Sequence, residues 1–155
     1  MTYCYLGLGS NLGIPKRNLQ KAVQQLRSIP RSSVTRVSSI YKSTPYGPKA
    51  QPNFCNMVVG ISTKLSPHRL LIYCKKIEQN MGRVRKKRWG SRAIDIDVLI
   101  FGDVRLNDNN LTLPHAGLIH RDFALVPLLE IEPDITQPGL GKLSTYLLKC
   151  SRNII

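Results

Sequence analysis

The segment Ile94-Asp95-Ile96-Asp97-Val98-Leu99-Ile100-Phe101 sets two carboxylates one residue apart inside an otherwise apolar run. Side chains alternate along a strand, so Asp95 and Asp97 share one face while Ile94, Ile96 and Val98 share the other. Two adjacent carboxylates resist ionising together. A divalent cation relieves that repulsion, and carboxylate oxygens suit Mg²⁺, which keeps several waters and takes substrate phosphate oxygens as further ligands; the plainer alternative is a strand with two exposed carboxylates answered by nearby arginines. Directly upstream, Arg83, Arg85, Lys86, Lys87, Arg88 and Arg92 fall within ten positions. Arginine forks bind phosphate oxygens in pairs and lysine adds a point charge. Moving a phosphoryl group is mostly positioning and neutralisation of spread negative charge. Cations beside a paired-carboxylate strand supply both halves of that chemistry. Gly82, Trp89 and Gly90 among the cations suit a loop that closes over a ligand.

Other segments carry weaker signals. Gly7-Leu8-Gly9-Ser10-Asn11-Leu12-Gly13 resembles a nucleotide loop, but Leu12 stands where the third glycine of G-x-G-x-x-G belongs, and the chain has no G-x-x-x-x-G-K-[ST]. Two readings stand for it: a strand-to-helix turn with Ser10 or Asn11 as cap, or small residues that let the backbone approach a planar ligand. Ser43-Thr44-Pro45-Tyr46-Gly47-Pro48 and Gln51-Pro52-Asn53-Phe54-Cys55-Asn56 combine stiff backbone, an aromatic each, and amides. Amides suit the edge of a heterocycle and Phe suits its face. Leu113-Pro114-His115 and His120-Arg121-Asp122-Phe123 bring imidazoles and an arginine close in sequence, and His115 is the better candidate for a phosphate contact. His68, in the first turn of a predicted helix, reads as an ordinary surface or core residue.

These residues need elements to hold them. Period and punctuation predict a strand over 2–9, a helix over 15–27 opened by Pro15, a strand over 33–41, a Pro/Gly-rich loop, and a strand over 55–63. Ser66-Pro67 starts a second helix that runs to Gly82 with Leu70, Leu71, Cys74, Ile77 and Met81 on one face. A strand over 94–101, two short segments near 104–113, and helical pattern near 121–130 and 142–149 follow. The order is that of an α+β, ferredoxin-like α/β sandwich with a βαββαβ core. We expect an antiparallel sheet with helices on one face and an extra C-terminal helix.

Composition bounds the rest. With 155 residues and 42% hydrophobic content, we expect one domain over residues 1–155 with no appended unit. No apolar run approaches the roughly 20 residues of a membrane helix, and Met1-Thr2-Tyr3-Cys4 does not open a signal peptide, so a cytoplasmic location is expected. Cys4, Cys55, Cys74 and Cys150 are scattered without C-x-x-C spacing and read as reduced thiols. The net charge of +14 favours a polyanionic partner, either nucleic acid or phosphorylated small molecules.

Together the segments closely resemble the 6-hydroxymethyl-7,8-dihydropterin pyrophosphokinase family of folate biosynthesis. The resemblance runs from the Gly-x-Gly-Ser-Asn segment to Phe123 and rests most on Arg88-Trp89-Gly90-Ser91-Arg92-Ala93-Ile94-Asp95-Ile96-Asp97-Val98-Leu99, with Leu113-Pro114-His115, Arg121 and Phe123 as a second match. It implies transfer of pyrophosphate from ATP to the hydroxymethyl group of the pterin, with AMP leaving. It implies that Asp95 and Asp97 hold two Mg²⁺ ions, that Arg83 and Arg92 act with them in catalysis, and that Trp89 belongs to a sealing loop. Glu78, Arg85, Trp89, Arg92, Val98, Thr112, His115 and Arg121 would bind ATP. Ser43, Thr44, Pro45, Tyr46, Phe54, Asn56, Asp95 and Phe123 would bind the pterin, with Phe54 and Phe123 sandwiching its ring. The sequence departs from the family at Ser91, where proline is common, at Asn110, where some members carry arginine, and at Ala116, where some carry an aromatic ring. The resemblance further implies a monomer acting on small molecules, with no nucleic acid or membrane partner.

The rival reading is a basic RNA-binding module on the same fold, which fold alone does not exclude. RNA binders of this type stack bases on sheet aromatics. Here aromatic residues are 6% of the chain, and neither 33–41 nor 55–63 carries a basic-aromatic pattern. A different ATP-dependent kinase would release ADP instead of AMP.

Overall fold

The computed structural model describes residues 1–45, 51–82 and 93–155. The elements are β1 (Thr2–Ser10), α1 (Pro15–Leu26), β2 (Ser32–Val37), β3 (Tyr41–Ser43), β4 (Phe54–Thr63), α2 (Pro67–Asn80), β5 (Asp95–Phe101), β6 (Leu106–Asn107), β7 (Thr112–Leu113), α3 (Asp122–Ile131), β8 (Thr136–Gln137) and β9 (Gly141–Lys142), then a 3-10 turn over Leu143–Tyr146. The main sheet runs β2-β4-β1-β5, with β3 also paired to β4, and all of its pairings are antiparallel. This is the ferredoxin-like arrangement. Among the described residues no helix is long and apolar enough to cross a membrane.

Strand alternation divides the sheet into two faces. Cys4, Leu6 and Leu8 of β1, Cys55, Met57, Val59 and Ile61 of β4, and Ile96 and Val98 of β5 pack in one core with Leu19, Leu26, Leu70 and Ile77 of α1 and α2. On the other face Val58, Leu99 and Ile100 pack with Leu125, Leu128 and Ile131 of α3 and with Leu143. The expectation of helices on one face therefore holds for α1 and α2 and is corrected for α3. The reason is composition: α3 carries apolar residues at almost every position, and the sheet's second face needed a cover. A bulge helps. Leu6 pairs with Val98 and Tyr5 with Ile100, so Leu99 keeps the face of Asp95 and Asp97 and the bulge brings Ile100 to that face as well.

Three sequence expectations change. The strand over 33–41 is two strands, because the Ser38 main chain and hydroxyl turn inward to Val58 (N to O 2.9 Å; Val58 N to Oγ 2.8 Å). The helix over 142–149 reduces to the 3-10 turn, since Leu147 and Leu148 face solvent and give a longer helix no apolar seat. Neither Ser10 nor Asn11 caps α1. Its N-cap is Ile14, and Asn18 instead reaches back to Ser10 Oγ (3.1 Å) and Leu12 O (2.8 Å), which ties the glycine turn to the helix. Ser66 does cap α2, accepting from Arg69 N at 3.3 Å.

Candidate active site

The second face of the sheet is not filled at the end where β1 and β5 carry their special residues. Gly9 lies between Asn56 and Asp95 in the ladder, and Gly7 lies between Val58 and Asp97. The central strand thus presents no side chain at two successive positions on this face. A Cβ on Gly9 would stand 3.3 Å from Asn56 Oδ1, and one on Gly7 would stand 3.2 Å from a Leu99 methyl. The glycines leave the floor of a cavity of about 330 Å³, within the size range of small-molecule sites. The segment does make the strand-to-helix turn between β1 and α1, without the Ser10 or Asn11 cap, and Gly7 and Gly9 keep side chains off the cavity floor.

Around that floor stand residues from distant parts of the chain. Asp95 and Asp97 line it from β5, Phe54 and Asn56 from β4, Ser43 from β3 and Thr44 just after it, His115 and Arg121 from the segment before α3, and Phe123 from α3 itself. Asp95 is half-buried and Asp97 exposed, while Ile94, Ile96 and Val98 are buried behind them, as alternation requires. Asn56 is buried and donates to Ser43 Oγ at 2.7 Å, so the amide and the β3 hydroxyl are fixed together. Asn11 is also buried and donates to Gln51 Oε1 (3.1 Å) and Pro52 O (3.3 Å), which anchors the chain entering β4.

His115 is oriented by its own backbone. Its N–H donates to Leu99 O on the outer edge of β5 (2.9 Å), and its Nδ1 accepts from Gly117 N (3.0 Å). An accepting Nδ1 leaves the proton on Nε2 in the neutral ring. Nε2 stands 3.9 Å from Asp97 Oδ1, so the Leu113-Pro114-His115 motif and the Asp-x-Asp motif meet in space. Arg121 lies with its guanidinium 6.0 Å from the Phe123 ring centroid. A Cβ on Gly117 would come within 2.8 Å of that guanidinium, so glycine there makes room for the arginine.

Other proposed site residues lie differently. Glu78 lines the cavity but is buried at 2% exposure, and its Oε2 accepts from Ile96 N at 2.8 Å while Lys75 Nζ stands 3.6 Å from Oε1. It thereby caps the open edge of β5. The Val98 side chain is in the α1/α2 core, and Thr112 is exposed on β7, away from the cavity lining. Pro45 is half-buried next to the lining residue Thr44. Arg83, Arg85, Trp89, Arg92 and Tyr46 lie outside the described residues. Lys75, Leu99 and Gly117 line the cavity without having been singled out. Lys75 alone had a sequence signal, its placement one helical turn before Glu78. All four cysteines are free and buried, and burial pushes Cys4 and Cys74 up to about 12, with Glu78 adding to the shift at Cys74.

A sequence profile described as 7,8-dihydro-6-hydroxymethylpterin-pyrophosphokinase (HPPK) matches residues 5–133. The chain belongs to this family. Among curated relatives, 2-amino-4-hydroxy-6-hydroxymethyldihydropteridine pyrophosphokinase of Haemophilus influenzae is 40% identical over 149 residues, 96% of this chain and 92% of that one. The enzyme of the same name from Methylorubrum extorquens is 46% identical over 139 residues, 90% and 88% of the two chains. A crystal structure of Plasmodium falciparum HPPK-DHPS superposes with a TM-score of 0.75 at 15% identity. It is covered over 45% of its length by 96% of this chain, and at that identity it speaks for the fold alone. Membership in the HPPK family gives the RNA-binding alternative no support.

Proposed function

We propose that this HPPK-family protein uses the cavity for its family's reaction: pyrophosphoryl transfer from ATP to the hydroxymethyl group of 6-hydroxymethyl-7,8-dihydropterin, in folate biosynthesis. One observation carries the assignment to this cavity: a carboxylate pair, an oriented imidazole, an arginine, two phenylalanines and a buried amide all line one space. The pterin oxygen attacks the β-phosphorus of ATP, the bond from that phosphorus to the α-phosphate oxygen breaks, the hydroxyl proton is released, and AMP leaves.

The chain's residues divide the work. Phe54 and Phe123 take the two faces of the ring, and Asn56 with the Ser43 and Thr44 main chain reads its polar edge. His115 and Arg121 receive phosphate oxygens, with Arg83, Arg85 and Arg92 as further cations and Trp89 as a further contact to ATP. Asp95 and Asp97 fit magnesium, since both offer carboxylate oxygens to the cavity from one face of β5. That donor set suits Mg²⁺, whose other ligands are then water and phosphate. Two bound Mg²⁺ ions would supply charge neutralisation at the phosphates and a more acidic pterin hydroxyl. We take the protein to act as a cytoplasmic monomer on small molecules alone, as one catalytic domain over residues 1–155.

Incubation with Mg²⁺, ATP and the hydroxymethyl-dihydropterin, followed by identification of the nucleotide product, tests the reading. AMP formed in step with pterin consumption is expected. ADP, or no nucleotide turnover, would refute it.

A further inference from the structure

The two walls at the ring-binding end of the cavity are joined by residues 151–155. One wall is β3, a three-residue strand whose last member, Ser43, pairs with Phe54. The other is the start of α3, where Phe123 follows Asp122. Toward the first wall, Thr44 N donates to Asn153 O at 2.8 Å, Asn153 Nδ2 donates to Thr44 Oγ1 at 3.1 Å, and Ile155 N donates to Lys42 O at 2.9 Å. Toward the second, Asp122 Oδ2 accepts from Asn153 N at 2.8 Å and from Ile154 N at 2.9 Å. Isolated bridges pair Ile154 with Ser43 and Ser151 with Arg121. The segment is an added strip along the free edge of β3, and the Asp122 carboxylate holds it to the helix.

The proposed ring sandwich takes one phenylalanine from each wall, so the spacing between them depends on what fastens the walls together. The main sheet positions Phe54 but not Phe123. Asp122 is 8% exposed, and one of its oxygens takes two successive main-chain donors of the segment, Asn153 N and Ile154 N. Its other oxygen, Asn153 Oδ1 and Ser151 Oγ are buried without a hydrogen-bond partner among the described residues. The Asp122 Oδ2 bonds and a bond from Ser151 N to His120 O (2.8 Å) hold the segment on the α3 side, the bonds to Thr44 and Lys42 hold it on the β3 side, and removing the Asp122 carboxyl takes away two of the three α3-side bonds. We propose that Asp122 and Asn153 are positioning residues for the pterin: through residues 151–155 they set the gap between Phe54 and Phe123 and hold the Ser43–Thr44 main chain at the ring's edge. This rests on the pterin occupying that end of the cavity.

The test uses the full chain carrying Asp122→Leu, Asp122→Asn or Asn153→Ala, with KM for the hydroxymethyl-dihydropterin, KM for ATP, kcat, and hydrogen exchange of the Thr44 amide as readouts. For Asp122→Leu the pterin KM rises about tenfold, the ATP KM and kcat stay within about twofold, and Thr44 exchanges faster. Asp122→Asn keeps an acceptor oxygen and restores most of the pterin KM. Asn153→Ala moves the pterin KM in the same direction by a smaller factor, and it decides the question if Asp122→Leu fails to fold. A parallel rise of both KM values would mean general loosening and would overturn the proposal. So would a pterin KM that stays put while Thr44 exchange accelerates. If the wild-type protein makes no AMP, the functional reading fails. The fastening of the walls is then judged by Thr44 exchange alone, and unchanged exchange in Asp122→Leu refutes it.

Discussion

The two faces of the sheet are built from the same strands and do opposite things. On one face β1 contributes Cys4, Leu6 and Leu8 to a closed core under α1 and α2. On the other it contributes Tyr5, Gly7 and Gly9, and the two glycines leave a cavity instead of a core. β5 repeats the contrast one strand over, with Ile96 and Val98 buried and Asp95 and Asp97 at the cavity. A period of two lets each residue on these strands be chosen for stability or for chemistry with little compromise. The bulge at Leu99 ends the division, since beyond it the strand returns apolar residues to the α3 side.

Variants on the two faces should separate accordingly. The largest effect is expected on the open face. Asp95→Ala should lower turnover by on the order of a thousandfold or more, because an uncompensated phosphate charge raises the barrier, with a melting curve close to wild type. AMP release and a thermal melt check both halves. On the closed face, Leu6→Ala should cost about 2–5 kcal/mol of stability, as a fully buried leucine truncated to alanine does. Turnover per folded molecule should be retained, read from denaturant melts alongside the assay. Gly9→Ala sits on the boundary. Its methyl would push against Asn56 Oδ1 and Phe54, so the pterin KM should rise by roughly tenfold while the ATP KM changes less, a loss of ground-state binding.

The smallest expected effect is a pH dependence at the rim of α3. Burial pulls the Glu130 carboxyl up, but bonds from the Tyr41 hydroxyl and from the Ser39 main chain and hydroxyl outweigh it and hold the group below its ordinary value of 4.5. A depressed acid contributes stability above its unfolded pKa and loses it as pH falls through the folded one. The melting temperature should therefore drop below about pH 4.5, and Glu130→Gln should flatten that drop by removing one titrating group. An acid limb of equal slope in the variant would deny Glu130 that role.

Much of this division is legible in the sequence. The alternation in Ile94-Asp95-Ile96-Asp97 places both carboxylates on one face without any tertiary information, and the βαββαβ order follows from period and punctuation. What is not legible depends on long-range contacts. Segment 33–41 reads as one strand because its break at Ser38 is set by Val58 and by Glu130, which bonds Ser39 from another element. Residues 142–149 have helical spacing, but Leu148 at 86% exposure shows that no surface awaited that face. His115 looked weak alone, and its approach to Asp97 required the docking of its backbone on Leu99. Glu78 looked like a ligand contact, whereas its carboxylate also closes the β5 edge, a role visible only once that edge exists.

The most direct test compares two neighbours on β5 that point opposite ways. Asp97→Asn and Ile96→Ala would be assayed side by side for AMP production per folded molecule and for melting temperature. Asp97→Asn is expected to lose turnover and keep its melting temperature, while Ile96→Ala loses several degrees and keeps turnover per folded molecule. Loss of both properties in both variants, or turnover retained in Asp97→Asn, would contradict a sheet that separates stability on one face from chemistry on the other.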